Sequence, residues 1–354
     1  MEIQENTSLK PYNTFGMDVR ARYFVTATDE QDVRVGVLLA REKKLPLLVL
    51  AGGSNMLMTE DLDAVVLYMD TRGIEVAGKD GDDTFVRVAA GESWGGFVDW
   101  AVGQGLAGIE NLAFIPGKVG SSPVQNIGAY GAEAKDVIES VEALDVRTLE
   151  KKAIPAVKCR FGYRESVFKH EYKGRYVILS VVFRLHDPAH YTLRLDYGNI
   201  RREMEHRGIN DPGIADVAAV VTDIRRAKLP DPAEIGNCGS FFKNPVVSRS
   251  VYETLVERYP DIPSFDPERA TGEHYKKIPA AWMIERAGWK GCRRGDAGVH
   301  KNQALVLVNY GDATGKEILR LCRDICADVR EKFGVEIAPE VNIINNETIR
   351  GLRP

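Results

Sequence analysis

Short apolar runs of strand character alternate with helical periodicities over the first 200 residues, and longer helices dominate after them. That change of pattern, with no fixed repeat, predicts an α+β fold with a two-part N-terminal half and a separate C-terminal lobe. Length agrees, since 354 residues exceed what one hydrophobic core usually organises.

Taken in chain order, residues 45–50 (Leu-Pro-Leu-Leu-Val-Leu) read as a buried strand, and 65–68, 85–89, 141–146 and 176–183 as further strands, several with period-two alternation. Residues 94–102 fit a short helix between them. After Asp196-Tyr-Gly198 helices are expected at 216–228, 250–258 and 279–287, with a strand at 304–308 and a boundary near residue 200. The last helix carries the strongest local signals. Ile318, Leu321, Ile325 and Val329 recur at helical spacing within 314–333, Thr314 and Glu317 form a capping box, and Gly334 supplies the stop.

The segment Ile115-Pro-Gly-Lys-Val-Gly-Ser-Ser-Pro-Val-Gln-Asn-Ile-Gly-Ala-Tyr-Gly131 combines dense glycine with Ser121, Ser122, Gln125 and Asn126 and contains no acid. Glycine permits positive φ and removes the Cβ that would hold a ligand away, while successive N–H groups can form a nest for anions. Such a segment suits a phosphate-bearing cofactor; its bland alternative is a long irregular turn between core elements. Ala51-Gly52-Gly53-Ser54-Asn55, directly after the first buried strand, is a second turn of this kind. Neither matches GxGxxG or GxxxxGK[ST], so a Rossmann or Walker fold is not expected.

Composition narrows the function classes. A net charge of −4 argues against a general polyanion binder. The N-terminus lacks a positive n-region and an apolar h-region, and no apolar run reaches spanning length, which predicts a cytoplasmic protein without a membrane partner. Cys159, Cys238, Cys292, Cys322 and Cys326 form neither a CxxC pair nor a zinc spacing, so reduced thiols and no metal site are expected. Cys322 and Cys326 lie four apart on the last helix and read as core-side residues.

Asn13-Thr14-Phe15-Gly16, the two glycine segments, Arg160-Phe-Gly-Tyr-Arg-Glu-Ser166, Lys228-Leu-Pro-Asp-Pro232, Gly236-Asn-Cys-Gly-Ser-Phe-Phe-Lys-Asn-Pro245 and Pro339-Glu-Val341 follow one another in an order that resembles the UDP-N-acetylenolpyruvylglucosamine reductase family. The resemblance spans nearly the whole chain. It implies FAD bound noncovalently in a fold of the vanillyl-alcohol-oxidase type, with subdomains 1–70 and 71–200 gripping the cofactor and 201–354 binding substrate. It further implies that NADPH reduces the flavin, that flavin N5 passes a hydride to the enolpyruvyl ether of UDP-N-acetylglucosamine, and that the UDP-N-acetylmuramate formed serves peptidoglycan synthesis and, through it, cell shape and division. A monomer is expected.

The same resemblance assigns site residues. Ser240 matches the proton donor, Arg164 and Glu340 the other catalytic pair. Gly52, Gly53, Ser54, Asn55, Gly117, Gly120, Ser121, Ser122, Gln125, Asn126, Gly128 and Ala129 fall where the family binds FAD. Tyr163, Lys228, Asn244, Lys290 and Gln303 fall where it contacts substrate, and Tyr197 matches the tyrosine with which long-form members close over the diphosphate. The chemistry suits these types. Hydride addition leaves charge on the carboxylate-bearing carbon, which needs cationic support and then a proton. Arginine stays charged and grips carboxylates bidentately, and proximity lets a weakly acidic serine protonate a very basic enolate. Taken singly, a serine is ordinarily structural, an arginine a surface ion pair, and a lysine a solvated side chain. Cys238 has no visible activating partner and reads as packing. His300 reads as a structural residue of the substrate lobe, Lys118 as solvent-facing, and Asn342 stands where many members carry arginine.

Two other readings remain open from sequence. A related FAD oxidase of an alcohol or sugar would share the cofactor half, although the glycine segments hold no His or Cys for covalent flavin. A flavin- or UDP-sugar-binding protein without chemistry would have no need of a proton donor at Ser240.

Overall fold

The computed structural model describes residues 2–266 and 274–354. Its first sheet has the order Ile3–Ser8, Arg20–Ala27, Leu62–Met69, Leu47–Leu50. The outer pair is antiparallel and the other two pairings are parallel. Both faces of these parallel strands are buried, and side-chain alternation divides them between two cores. Val65, Leu67 and Met69 face one core with helix α1 (Glu30–Lys43), while Ala64, Val66, Leu48 and Leu50 face the other with the C-terminal lobe. Gly36 lets α1 approach closely, since a Cβ there would stand 2.7 Å from Leu67 Cδ1.

The second sheet is antiparallel, in the order Lys151–Pro155, Ile138–Asp145, Tyr176–His186, Asp83–Ala89, Ile74–Asp80. Its central strand is buried almost throughout, and helix α2 (Trp94–Gly103) packs on it through Trp94 and Phe97, whose ring centroids lie 5.9 and 4.7 Å from that of Phe183. Helices α3 (Ile200–His206) and α4 (Ile214–Lys228) seat Ile200, Met204, Val217, Val220 and Val221 in this same core.

The C-terminal lobe holds the short strands Gly236–Asn237, Leu307–Asn309, Ala297–Val299 and Arg293–Arg294, flanked by α5 (Arg249–Arg258), α6 (Ala280–Arg286) and α7 (Gly315–Phe333). Helix α7 has the capping box of Thr314 and Glu317, and Gly334 ends it at φ 68°. The strand expected at 304–308 begins later, at Leu307, because Val306 N donates to the Gln303 carbonyl at 3.0 Å and closes a turn first. Helix α1, for which no expectation was formed, rests on the Asp29 cap and the Val33, Val37 and Ala40 stripe.

One connection positions the site. The Met56–Met58 strand, which follows the Ala51 to Asn55 turn, pairs in parallel with Asn342–Ile344 near the C-terminus. Glu340 is thereby held beside the first glycine turn. The chain then ends after α8 (Asn346–Ile349).

Candidate active site

The two glycine segments meet face to face. A Cβ on Gly52 would lie 2.9 Å from Gly117 Cα, and one on Gly53, whose φ is 60°, would lie 2.1 Å from the Tyr12 carbonyl oxygen. No side chain fits at either position. The motif Asn13 to Gly16 holds this turn from behind: Thr14 N donates to the Gly53 carbonyl at 3.2 Å, while buried Asn13 donates to Leu9 and Met17 carbonyls at 2.7 and 3.0 Å. Across the seam Ser54 Oγ donates to the Pro116 carbonyl at 3.1 Å, and the Asn55 amide donates to Gln125. Gly120 packs onto Ala90, where a Cβ would come within 2.6 Å. Ser121 Oγ turns back to the Lys118 carbonyl at 2.6 Å.

Ser122 is fully buried and its Oγ has no protein partner. A buried hydroxyl without a partner, beside a glycine seam cleared of Cβ atoms, fits a polar cofactor group such as a phosphate. Asn126 contributes differently. Its amide donates to the Gly162 carbonyl at 2.9 Å and to Glu133 at 3.1 Å, and its Oδ1 accepts from Lys135 N at 2.9 Å. The side chain therefore joins the glycine segment to the turn that carries Arg164.

That turn is a tight hairpin. Gly162 and Glu165 exchange backbone hydrogen bonds of 3.0 and 3.1 Å around Tyr163 and Arg164. Arg164 sits at φ 58°, a left-handed conformation that ordinarily selects glycine and costs on the order of 1 kcal/mol for other residues. Its Nε stands 2.8 Å from Glu340 Oε1, yet that N–H lacks a well-directed acceptor, so the pair is an ionic contact with hydrogen-bonding capacity to spare. A Cβ on Gly128 would lie 3.2 Å from the guanidinium, which brings the second glycine segment against the same arginine.

Glu340 follows the short pairing of Phe242–Lys243 with Ala338–Pro339, and its N–H donates to the Phe241 carbonyl at 2.8 Å. Ser240 is the residue before Phe241 and is exposed, on a turn held by Gly239 N donating to Asn237 Oδ1 at 2.9 Å. Phe241 and Phe242 are buried and anchor it. Glu340 thus binds the Phe241 carbonyl, one residue after Ser240, through its main chain and Arg164 through its side chain. Cys238, two residues earlier, is buried, and burial, with Glu340 adding to it, pushes its thiol well above the ordinary range. It packs, as its context suggested.

Basic groups surround this pair. The Tyr163 ring has Lys277 at 4.5 Å, Lys243 at 5.6 Å and Arg164 at 5.6 Å from its centroid. Burial raises the Tyr163 phenol, partly opposed by Arg164. Arg225 donates to the Phe114 carbonyl at 3.0 Å, and burial lowers its guanidinium, with Arg164 adding to that repulsion. Arg225, Lys243 and Lys277 were not anticipated. Lys243 lies inside a quoted motif and Arg225 precedes Lys228 by one helical turn, so spacing alone offered a hint for both.

The remaining residues are more dispersed. Tyr197 is exposed and stands edge-on to Tyr130 at 6.4 Å, over Gly131. Asn244 Oδ1 accepts from Ala280 N at 2.9 Å at the start of α6. Lys290 Nζ pairs with Glu285 at 2.8 Å, Gln303 closes its turn, and Lys228 is exposed at the end of α4. Among the described residues no hydrogen bond or ion pair links Lys228, Lys290 or Gln303 to Arg164 and Glu340. Lys118 does not face solvent: its side chain is 11% exposed and turned inward. Asn342 donates from its amide to the Asn55 carbonyl at 3.0 Å, tying the Glu340 segment to the first glycine turn. Among the described residues no group of three His, Cys, Asp or Glu side chains could hold a metal, and no helix is long and apolar enough to cross a membrane.

Known proteins match the chain over nearly its whole length. Residues 21–148 match the family described as FAD binding domain, and residues 231–344 the one described as UDP-N-acetylenolpyruvoylglucosamine reductase, C-terminal domain. The chain is 50% identical over 343 residues to the UDP-N-acetylenolpyruvoylglucosamine reductase of Pseudomonas aeruginosa, covering 97% of this chain and 99% of the relative. It is 45% identical over 344 residues to the protein of that name from Flavobacterium johnsoniae, covering 97% and 100%. The crystal structure of the enzyme from Thermus caldophilus superposes with a TM-score of 0.67 at 22% identity, over 98% of this chain and 100% of that one, a likeness of fold.

Proposed function

The chain belongs to the UDP-N-acetylenolpyruvoylglucosamine reductase family, and from that premise we propose the roles of its residues in the reaction. The protein is an FAD-dependent oxidoreductase that uses NADPH to reduce UDP-N-acetylglucosamine enolpyruvate to UDP-N-acetylmuramate in peptidoglycan precursor synthesis. The observation that supports the residue assignment is the contact of Glu340 with both Arg164 and the Phe241 carbonyl, one residue from Ser240, at the edge of the glycine cradle.

The cradle of Gly52, Gly53, Ser54, Asn55, Gly117, Gly120, Ser121, Ser122, Gln125, Gly128 and Ala129 would hold FAD, which when bound supplies the hydride. Addition of that hydride to the terminal methylene of the enolpyruvyl group breaks the carbon–carbon double bond and moves its electron pair to the carboxylate-bearing carbon. Arg164 grips the carboxylate over which this charge spreads, using hydrogen-bonding capacity that Glu340 leaves free. Ser240 donates its proton to the carboxylate-bearing carbon, completing the lactyl ether. Glu340 keeps the guanidinium oriented, and Asn342 keeps Glu340 in register with the first glycine turn.

Tyr163, Lys228, Asn244, Lys290 and Gln303 receive the UDP-sugar, and Tyr197 closes over its diphosphate. Lys290 would exchange Glu285 for phosphate in doing so. Segments 1–70 and 71–200 grip the cofactor and 201–354 the substrate, with α3 and α4 of the last part seated on the core of the second. A monomer working in the cytoplasm, with an effect on cell shape and division through the wall precursor, completes the reading.

The test is anaerobic stopped-flow absorbance. Flavin of the purified protein is reduced with NADPH and mixed with UDP-N-acetylglucosamine enolpyruvate. Rapid return of the oxidised-flavin spectrum is expected. Reduction without reoxidation by that substrate would overturn the reading.

A further inference from the structure

Lys118 occupies the second glycine segment but its side chain belongs to the opposite wall of the cleft. Its main chain travels with the second sheet: it bridges Ser93, and the following N–H groups of Val119 and Gly120 donate to the Glu92 and Ala90 carbonyls, both at 2.9 Å. Its Nζ donates to the Met69 carbonyl at 2.5 Å and to Asp70 Oδ1 at 3.1 Å, and lies 4.0 Å from the centroid of the Tyr68 ring. All three partners lie at or just beyond the end of the Leu62–Met69 strand of the first sheet. Tyr68 is the register partner of Leu50, the residue immediately before the Ala51 to Asn55 turn.

A carbonyl, a carboxylate and an aromatic face converging on one ammonium, with its side chain only 11% exposed, make a directional contact that solvent and salt weaken little. It acts across the seam where Gly52 and Gly117 leave no room for a Cβ. Asp70 is held in turn by Arg72 at 2.6 Å, so the acceptor is itself fixed.

We infer that Lys118 is a positioning residue that sets the separation of the two glycine segments and thereby the retention of FAD. The inference rests on the FAD reading above. A cleft preset at the bound width binds without first ordering its walls, so the staple acts on cofactor affinity more than on folding.

Lys118→Met keeps the length and apolar bulk of the stem and removes the charge. Apo-protein prepared from the holoenzyme is titrated with FAD, following quenching of flavin fluorescence, and FAD dissociation is timed by dilution. Loss of a charged, mostly buried hydrogen-bond set is expected to raise the Kd about tenfold or more, with a native circular dichroism spectrum. An unchanged Kd would overturn the inference, even if the melting temperature fell, because a purely structural lysine changes stability and leaves the cofactor equilibrium alone. Should Lys118→Met fail to fold, Asp70→Asn carries the same test with the same two outcomes. Failure of the unmodified apo-protein to bind FAD would instead strike the FAD reading itself.

Discussion

Placing a methyl group on Gly52 probes the seam between the two glycine segments at its tightest point. The new Cβ would stand 2.9 Å from Gly117 Cα, 3.4 Å from the Gly117 carbonyl carbon and 3.6 Å from Lys118 N. These are backbone atoms, which cannot rotate aside as a side-chain end can. Moving the nearest contact from 2.9 Å to the 3.4 Å at which packing becomes ordinary opens the seam by about 0.5 Å. Overpacking of this kind costs about 1–3 kcal/mol, or roughly 5- to 150-fold in an equilibrium constant. Because the seam is preset at the width that receives the cofactor, widening it moves the FAD-binding groups out of position and the cost is read in FAD binding. Gly52→Ala is therefore expected to raise the FAD Kd within that range in a fluorescence titration of apo-protein. Gly103→Ala provides the opposite control: it lies at the end of α2 where a Cβ meets nothing within 4 Å, and it should add about 0.5 kcal/mol of stability without altering FAD affinity. Gly52→Ala protein that binds FAD within about twofold of the parent would refute the argument that this seam forms the cofactor cradle.

Ser240→Ala should leave flavin reduction by NADPH intact and slow flavin reoxidation by the enolpyruvyl substrate by about 10²–10⁴-fold, as read in two separate stopped-flow half-reactions; equal loss in both would contradict the proton-donor role. Arg164→Asn keeps a residue type that tolerates the left-handed turn at φ 58° but removes the cation, so kcat/KM should fall by about 10²–10³-fold at an unchanged melting temperature. A matching collapse of stability would mean that Arg164 is chiefly structural. For His300, burial first and Lys301 second lower the imidazole below its usual 6.5. The unfolded chain then takes up the extra proton first, so this group's contribution to stability is present above pH 6.5 and declines as pH falls through 6.5 toward the folded value. His300→Gln should flatten that decline in urea unfolding followed from about pH 7.5 to about pH 5.5; identical slopes in the two proteins would rule the assignment out.

Signals that act over one turn or one strand were legible in the chain alone. The α7 helix, its Thr314 and Glu317 box and its Gly334 stop depend on neighbours within four residues, and they stand as read. The same holds for the continuous apolar runs at Leu47–Leu50 and Tyr176–His186 and for the alternation of Asp83–Ala89, all written in sequence order. The glycine segments announced themselves by composition, and the order of the motifs identified the family. Folding decided what no spacing encodes. Lys118 reads from sequence as solvent-facing, yet its partners arrive from Tyr68, Met69 and Asp70, at the end of a strand of another sheet. Arg225, Lys243 and Lys277 join the basic surround of Tyr163 and Arg164 from three separate elements. Glu340 meets Arg164 because the C-terminal segment returns to pair with Phe242–Lys243 and with Met56–Met58. Local propensity and period are properties of contiguous residues and can be read directly, whereas the charge environment of the site is a sum over distant segments that exists only once both cores have closed.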